Sequence, residues 1–538
     1  MIRRRELIKK SLIGVGAAAL ARALFAADGA AGPIVETKYG KTRGVSADGV
    51  QIFKGIHYGQ STENAARFLP PMPPKPWTGV FDAFQYGPMA PQNLSTATGS
   101  DIRIAMGDIF GPGTISEDCL VLNIWTAGVR GKRPVMIWLH GGGYTGGSDG
   151  APTYDGTNLA RKRDVVVVGI NHRLNVFGYL YLAEVGGEKY RDSGNVGMLD
   201  IVLALEWVRD NIAQFGGDPG NVTIFGESGG GGKVSTLMAM PPARGLFHKA
   251  IVESGSMLRA TSREDADAAA RRFLTEVNVT PERVDDLSKI PMSQMLAALR
   301  SMTGPNAIRL GPVVDGRALP SHPFDPAAPS LSASVPMLIG TNGTESTLLL
   351  GLGDSGLFSL NEADMRIKLK AYLRLSDETK LDSLIATYQK DRPNATPSDI
   401  YFAITTDRMM RMNAITQAER KVLEGRAPAY MYVFAWQTPV LGGKLRSPHG
   451  IELAFVFDNT DKTTGLNGTG VDLAPLADQV SGAWAAFART GNPNHSGLPH
   501  WPAYTISERA TMIFNDESKV VNDPGKDERL AMSALPSA

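Results

Sequence analysis

The apolar run Val222-Thr223-Ile224-Phe225 passes directly into Gly226-Glu227-Ser228-Gly229-Gly230, and this junction restricts the possible folds more than any other stretch of the chain. A serine nucleophile needs a sharp strand-to-helix turn that holds its Oγ clear of the backbone. Glycines two residues to either side let the flanking segments pass closely enough to make that turn. The required order is present: an apolar strand comes first, and Lys233-Val234-Ser235-Thr236-Leu237-Met238-Ala239-Met240 predicts a helix that Pro241-Pro242 stops. Five residues with three fixed positions also occur in plain glycine-rich turns, so an active serine must be matched by partners elsewhere.

A serine hydroxyl is a weak nucleophile until a base takes its proton, and attack on a carbonyl creates an oxyanion that needs fixed N–H donors. Val135-Met136-Ile137-Trp138-Leu139 reads as a buried strand running into His140-Gly141-Gly142-Gly143-Tyr144, whose glycines free successive N–H groups to face a ligand. Gly142 and Gly143, with Gly229 after the serine, are the expected oxyanion donors. Two other glycine patterns fail. Gly141 to Gly146 fits G-x-G-x-x-G, but Gly147-Ser148-Asp149-Gly150-Ala151-Pro152 follows where a dinucleotide fold needs a helix. The run ending at Lys233 has Glu227 and Val234 where a phosphate loop requires glycine and Ser or Thr.

Further stretches stand in fixed order around these. They are Ser116-Glu117-Asp118-Cys119-Leu120-Val121-Leu122-Asn123, Asn171-His172-Arg173-Leu174, Gly194-Asn195-Val196-Gly197-Met198-Leu199-Asp200 and Phe215-Gly216-Gly217-Asp218-Pro219-Gly220-Asn221. Near the end come Thr490-Gly491-Asn492-Pro493-Asn494 and Trp501-Pro502-Ala503-Tyr504. The ordered set resembles the type-B carboxylesterase and cholinesterase family over roughly residues 33–515. The resemblance implies an α/β class chain with the α/β-hydrolase fold: a large, mostly parallel, twisted sheet flanked by helices, with helical insertions as a cap. It also implies a serine carboxylesterase for small to medium carboxylic esters that needs no metal or organic cofactor.

Residue by residue, the family's acid resembles Glu345 in Gly340-Thr341-Asn342-Gly343-Thr344-Glu345-Ser346, after the strand Val335-Pro336-Met337-Leu338-Ile339. Its histidine resembles His449 in Ser447-Pro448-His449-Gly450-Ile451-Glu452-Leu453. Ser228, Glu345 and His449 follow the chain order of α/β-hydrolases and can meet only through folding. Glu227 and Glu452 lie inside matched motifs, either to orient the base or as buried structural carboxylates. Two rivals stay open: a non-catalytic binding member of the fold, and a serine amidase or peptidase using the same triad.

The 538 residues are 43% hydrophobic and can bury a large core. Lys+Arg 55 against Asp+Glu 54 leaves no basic excess for nucleic acid or an anionic membrane, so a small-molecule ester is the expected partner. No oligomeric state is legible. Arg4-Arg5-Glu6-Leu7-Ile8-Lys9 resembles the twin-arginine export motif, with a weakly apolar stretch behind it and small residues at Ala23, Ala26 and Ala27. Residues 1–30 are therefore expected to be a signal peptide, and 31–538 a single domain working in a bacterial periplasm or outside the cell, free of the membrane after signal removal. Cys119 is the only cysteine, so no intramolecular disulfide can form; family members commonly pair this position with one upstream, where Ala90 stands here.

Periodicity predicts a buried parallel strand at 165–170, a helix over about 199–212, helical insertions at 261–300 and 362–424, and a late helix with Leu476, Val480, Trp484 and Phe487 on one face. By resemblance, loops near 92–115, 302–325, 345–360 and 401–411 wall the substrate gorge, yet none carries a legible charge cluster or aromatic cage. The absence of tryptophan from residues 97–114 argues against quaternary ammonium substrates. Met106, Ile109, Phe110, Met302 and the leucines of 348–352 are candidates for an apolar pocket or for the core.

Overall fold

The structure is a computed structural model that describes residues 30–93, 113–304 and 307–536. The expected export signal and the pocket candidates Met106, Ile109 and Phe110 lie outside the described residues.

Thirteen strands among the described residues join in one sheet. They are β1 (Ala30–Thr37), β2 (Gly40–Ala47), β3 (Val50–His57), β4 (Val80–Asp82), β5 (Val121–Thr126), β6 (Arg133–Leu139) and β7 (Val166–Ile170), followed by β8 (Gly217–Glu227), β9 (Lys249–Glu253), β10 (Met337–Asn342), β11 (Ala429–Phe434), β12 (Ala510–Phe514) and β13 (Lys519–Asn522). Their order is β1-β2-β3-β5-β7-β6-β8-β9-β10-β11-β12-β13, with β4 beside β2. From β7 through β12 every pairing is parallel, while both ends of the sheet turn antiparallel. This is the mixed sheet of an α/β-hydrolase.

The apolar runs that lack polar alternation form the middle of the sheet because both of its faces are covered. Successive side chains point to opposite faces. Ile137, Val168, Ile224 and Val252 therefore enter one apolar layer with Ile201, Leu205 and Val208 of the helix Val196–Asn211. Their neighbours Trp138, Val167, Phe225 and Ile251 enter the other, against Trp484 and Phe487 of the helix Ala474–Thr490. Burying one such side chain contributes about 1.5–3 kcal/mol. All four residues predicted for one face of the late helix are buried.

The two predicted helical blocks are insertions with cores of their own. Helices Arg263–Glu276 and Met292–Ser301 enclose Phe273, Leu274, Met295 and Leu296. Helices Glu362–Leu373, Glu378–Lys390 and Pro397–Thr406 enclose Met365, Leu384, Tyr388 and Ile400. Their starts are set by caps: Ser262, Asn361, Asp377 and Thr396 each accept a first-turn N–H, and Thr396 with Asp399 completes a capping box. Met302 packs in the first insertion core and Leu348 in the second sheet layer, so both are core residues rather than pocket wall.

Cys119 is a free, fully buried thiol in the same apolar layer as Ala90. In place of a bridge, Met89 N donates to Thr114 O at 2.9 Å and Ser116 N to Met89 O at 2.9 Å, tying the two stretches through backbone. No helix among the described residues is long and apolar enough to cross a membrane.

Candidate active site

Parallel register brings the site together at the carboxyl ends of the central strands, where open α/β sheets gather functional groups. Leu139 of β6 sits opposite Gly226 of β8, and Gly340 of β10 opposite Glu253 of β9. The glycine loop after β6, the serine turn after β8 and the carboxylate loop after β10 therefore emerge at one level.

Ser228 occupies φ +55°, ψ −122° between β8 and the helix Gly229–Leu237, a left-handed conformation that costs a non-glycine residue about 1–3 kcal/mol. The turn is held there: Ser228 N donates to Glu253 O at 2.9 Å. A Cβ at Gly226 would lie 2.6 Å from Leu139 O, and one at Gly230 1.9 Å from the same oxygen. Backbone approach, not flexibility, is why glycine stands two residues to each side of the serine.

The loop Gly141, Gly142, Gly143 lies against the serine turn, where a Cβ on Gly229 would meet Gly143 Cα at 2.5 Å. Gly142 and Gly143 take φ +83° and +61°. Among the described residues, no loop or turn hydrogen bond uses the N–H groups of Gly142, Gly143 or Gly229. Two side chains brace the loop from behind. The His140 ring stacks on His172 at 4.9 Å, and the buried Lys233 ammonium donates to His140 O at 2.8 Å. Burial, then the Lys233 charge, hold both imidazoles well below the usual histidine range, and burial lowers Lys233 itself to about 7.

Glu345 and His449 come together. His449 Nδ1 donates to Glu345 Oε2 at 2.6 Å, while Glu345 Oε1 accepts Asn342 N at 2.7 Å and Ser254 Oγ at 2.5 Å. The carboxylate is fully buried and every oxygen is used. His449 Nε2 lies 3.0 Å from Glu227 Oε1 without hydrogen-bond geometry, and neither atom has another partner among the described residues. Ser228 Oγ is not hydrogen-bonded to the ring; unliganded hydrolase sites often hold this contact long. Glu452 Oε2 accepts Asn342 Nδ2 at 2.5 Å, and Glu253 Oε1 accepts Trp484 Nε1 at 2.8 Å.

Four buried carboxyl groups thus share one low-dielectric region. Burial raises Glu227 to about 7, Glu253 to about 8 and Glu452 well above the carboxylate range. For His449, burial lowers the imidazole, but the surrounding charges of Glu227, Glu345 and Glu452 outweigh it and raise the ring. Each of the eight residues singled out in the sequence lies at this junction, but Ser254, Asn342, Lys233 and Glu253 were not among them. The signal that could have found Ser254 is its place immediately after the buried strand β9.

Ser228 opens onto a cavity of ≈1070 Å³ bordered by Tyr144, Met257, Leu258 and Met412 and by arginines. Two of these, Arg309 and Arg408, come from the predicted gorge loops. Charges scattered through the sequence therefore do form a cluster, contrary to the impression left by each loop alone.

The carboxylesterase family model matches residues 31–533. The chain is 35% identical over 504 residues to para-nitrobenzyl esterase of Bacillus subtilis, covering 92% of this chain and 97% of that one. It is 34% identical over 533 residues to liver carboxylesterase of Sus scrofa, covering 90% of each. The crystal structure of Geobacillus stearothermophilus carboxylesterase EST55 superposes with a TM-score of 0.81 at 39% identity, over 93% of this chain and 99% of that one. Matched by the family model and by these relatives along nearly its whole length, the chain belongs to the carboxylesterase family and is a carboxylic-ester hydrolase.

Proposed function

We propose that the protein is an exported serine carboxylesterase that hydrolyses small to medium esters through an acyl-enzyme on Ser228, with His449 as base and Glu345 as its orienting acid. The observation that carries this is the 2.6 Å bond from His449 Nδ1 to a fully buried Glu345, beside a serine held in a strained turn. A proton fixed on Nδ1 leaves Nε2 as the acceptor. As Ser228 Oγ attacks the ester carbonyl, Nε2 takes its proton, Glu345 stabilises the imidazolium, and the N–H groups of Gly142, Gly143 and Gly229 receive the oxyanion. The imidazolium returns the proton to the departing alcohol, and water, deprotonated by the same nitrogen, releases the acid. Glu452 holds Asn342 in place from within the fold, and Glu227 sets a carboxyl group beside the ring. The esterase names of the relatives and the volume above the serine favour esters of this size.

The test is release of p-nitrophenol from p-nitrophenyl butyrate by the purified chain, expected to begin with a burst stoichiometric with enzyme. Equal turnover of a matched p-nitroanilide would favour the amidase rival, and no turnover of either would favour a binding role.

Glu345→Gln separates orientation from scaffolding. Losing the charge is expected to lower kcat about 10³–10⁴-fold, as for other triad acids. Glu345 is one of the charges that raise His449, so without it the imidazole loses its proton at lower pH. The acidic limb of kcat/KM, which requires a neutral ring, should therefore move to lower pH; an unmoved limb would sink the assigned role.

For export, the support is the Arg4-Arg5 motif with its apolar follower. Replacing both arginines by lysine should leave the chain in the cytoplasm of a bacterial host, as read by activity in osmotic-shock fractions. Undiminished periplasmic activity would overturn the assignment.

A further inference from the structure

We infer that the ester this pocket prefers carries a carboxylate at a distance from the scissile bond, as in a monoester of a dicarboxylic acid. The inference rests on the serine-esterase reading of Ser228. Four arginines, Arg259, Arg309, Arg408 and Arg420, share the lining of the cavity that holds Ser228, and among the described residues Asp325 is the one acidic residue with them. Asp325 is spoken for twice: Arg259 Nη1 binds its Oδ2, and Arg420 Nη1 lies 3.0 Å from its Oδ1. That leaves two guanidinium groups without a carboxylate among the described residues. Arg408 Nη2 donates to Pro536 O at 2.7 Å, and Arg309 has no hydrogen bond or ion pair among the described residues.

The lining is of two kinds: the apolar Met257, Leu258 and Met412 are half-buried, while Arg309 is exposed. Low-dielectric walls focus the field of the surplus positive charge into the cavity and raise the local concentration of an anion. Arginine forks match a carboxylate bidentately, where lysines would present only point charges. An acyl chain could lie along the thioethers while its far carboxylate meets Arg309 and Arg408. Solvated surface arginines are common, but these two come from segments far apart in the chain and border the same cavity as Ser228.

The experiment compares kcat/KM for mono-p-nitrophenyl adipate and suberate with the same chains capped as methyl esters, in wild type and in Arg309→Gln/Arg408→Gln and Arg309→Lys/Arg408→Lys. Wild type should favour the anionic member about tenfold at low salt, a preference that shrinks toward parity near about 0.5 M NaCl. The glutamine pair should lose the preference and the lysine pair keep part of it. A wild-type ratio at or below one, or a ratio that the glutamine pair and salt leave unmoved, would overturn the inference. The capped esters keep the two readings apart. Their hydrolysis without anionic preference removes only the substrate class, whereas no Ser228-dependent hydrolysis of either member removes the serine-esterase reading itself.

Discussion

Ser228→Ala is expected to lower the hydrolysis of p-nitrophenyl butyrate about 10⁴–10⁶-fold while leaving the protein folded. In the proposed mechanism the loss is large because the covalent route disappears: without Oγ no acyl-enzyme would form, and only the binding surface and the N–H groups of Gly142, Gly143 and Gly229 would remain to assist water. The fold should tolerate the change. Alanine accepts φ +55° with about the same difficulty as serine, and Ser228 is held through its backbone N–H to Glu253 O, which the substitution leaves in place. Circular dichroism and the denaturation midpoint should therefore match wild type. Residues that act as a unit give non-additive losses, so Ser228→Ala with His449→Ala should cost little more than Ser228→Ala alone. A single variant retaining wild-type turnover would show that another residue carries the chemistry.

The largest expected effect on stability is that of Asp200→Ala. Arg173 and Asp200 form a bidentate pair with side chains 2% and 0% exposed, through Nε to Oδ2 at 2.8 Å and Nη2 to Oδ1 at 2.6 Å. Arg173 N also donates to Asp200 Oδ2 at 3.0 Å, and Nη1 to Leu69 O at 2.9 Å. Removing the carboxylate strands a buried guanidinium and costs about 3–5 kcal/mol, a large part of the roughly 5–15 kcal/mol that holds a typical domain. The urea midpoint should fall accordingly, and activity with it, because His172, next to Arg173, supports His140 behind the glycine loop. Arg173→Met with Asp200→Ala should be less destabilised than Asp200→Ala alone, since no charge is then left unpaired. Equal midpoints for wild type and Asp200→Ala would show that the pair contributes nothing net.

How much of this was legible follows from the range over which each feature is specified. The serine turn could be read from residues 222–242 because its requirements are local: an apolar strand, glycines two residues to each side of the serine, and a short helix, which ends at Leu237 ahead of Pro241-Pro242. The helical insertions and the buried face of Ala474–Thr490 could be read because side-chain periodicity reports one-sided burial. Glu345 and His449 were placed by likeness to a family, not by their own chemistry, since a lone glutamate or histidine looks the same in a loop as in a site.

What the chain itself could not announce is everything that depends on strands lying side by side. Ser254 reaches Glu345 because β9 and β10 pair in parallel with Gly340 opposite Glu253. Met302 and Leu348, open to either pocket or core by sequence, went to the core because insertion and sheet close over them. Arg309 and Arg408 belong to separate segments of the chain and border one cavity only in the folded protein. Backbone geometry and periodicity are written within a turn or two of chain, and so the sequence by itself determined the serine turn, the element order and the faces that are buried. Contact between distant residues is decided by register and packing, which only the tertiary structure supplies.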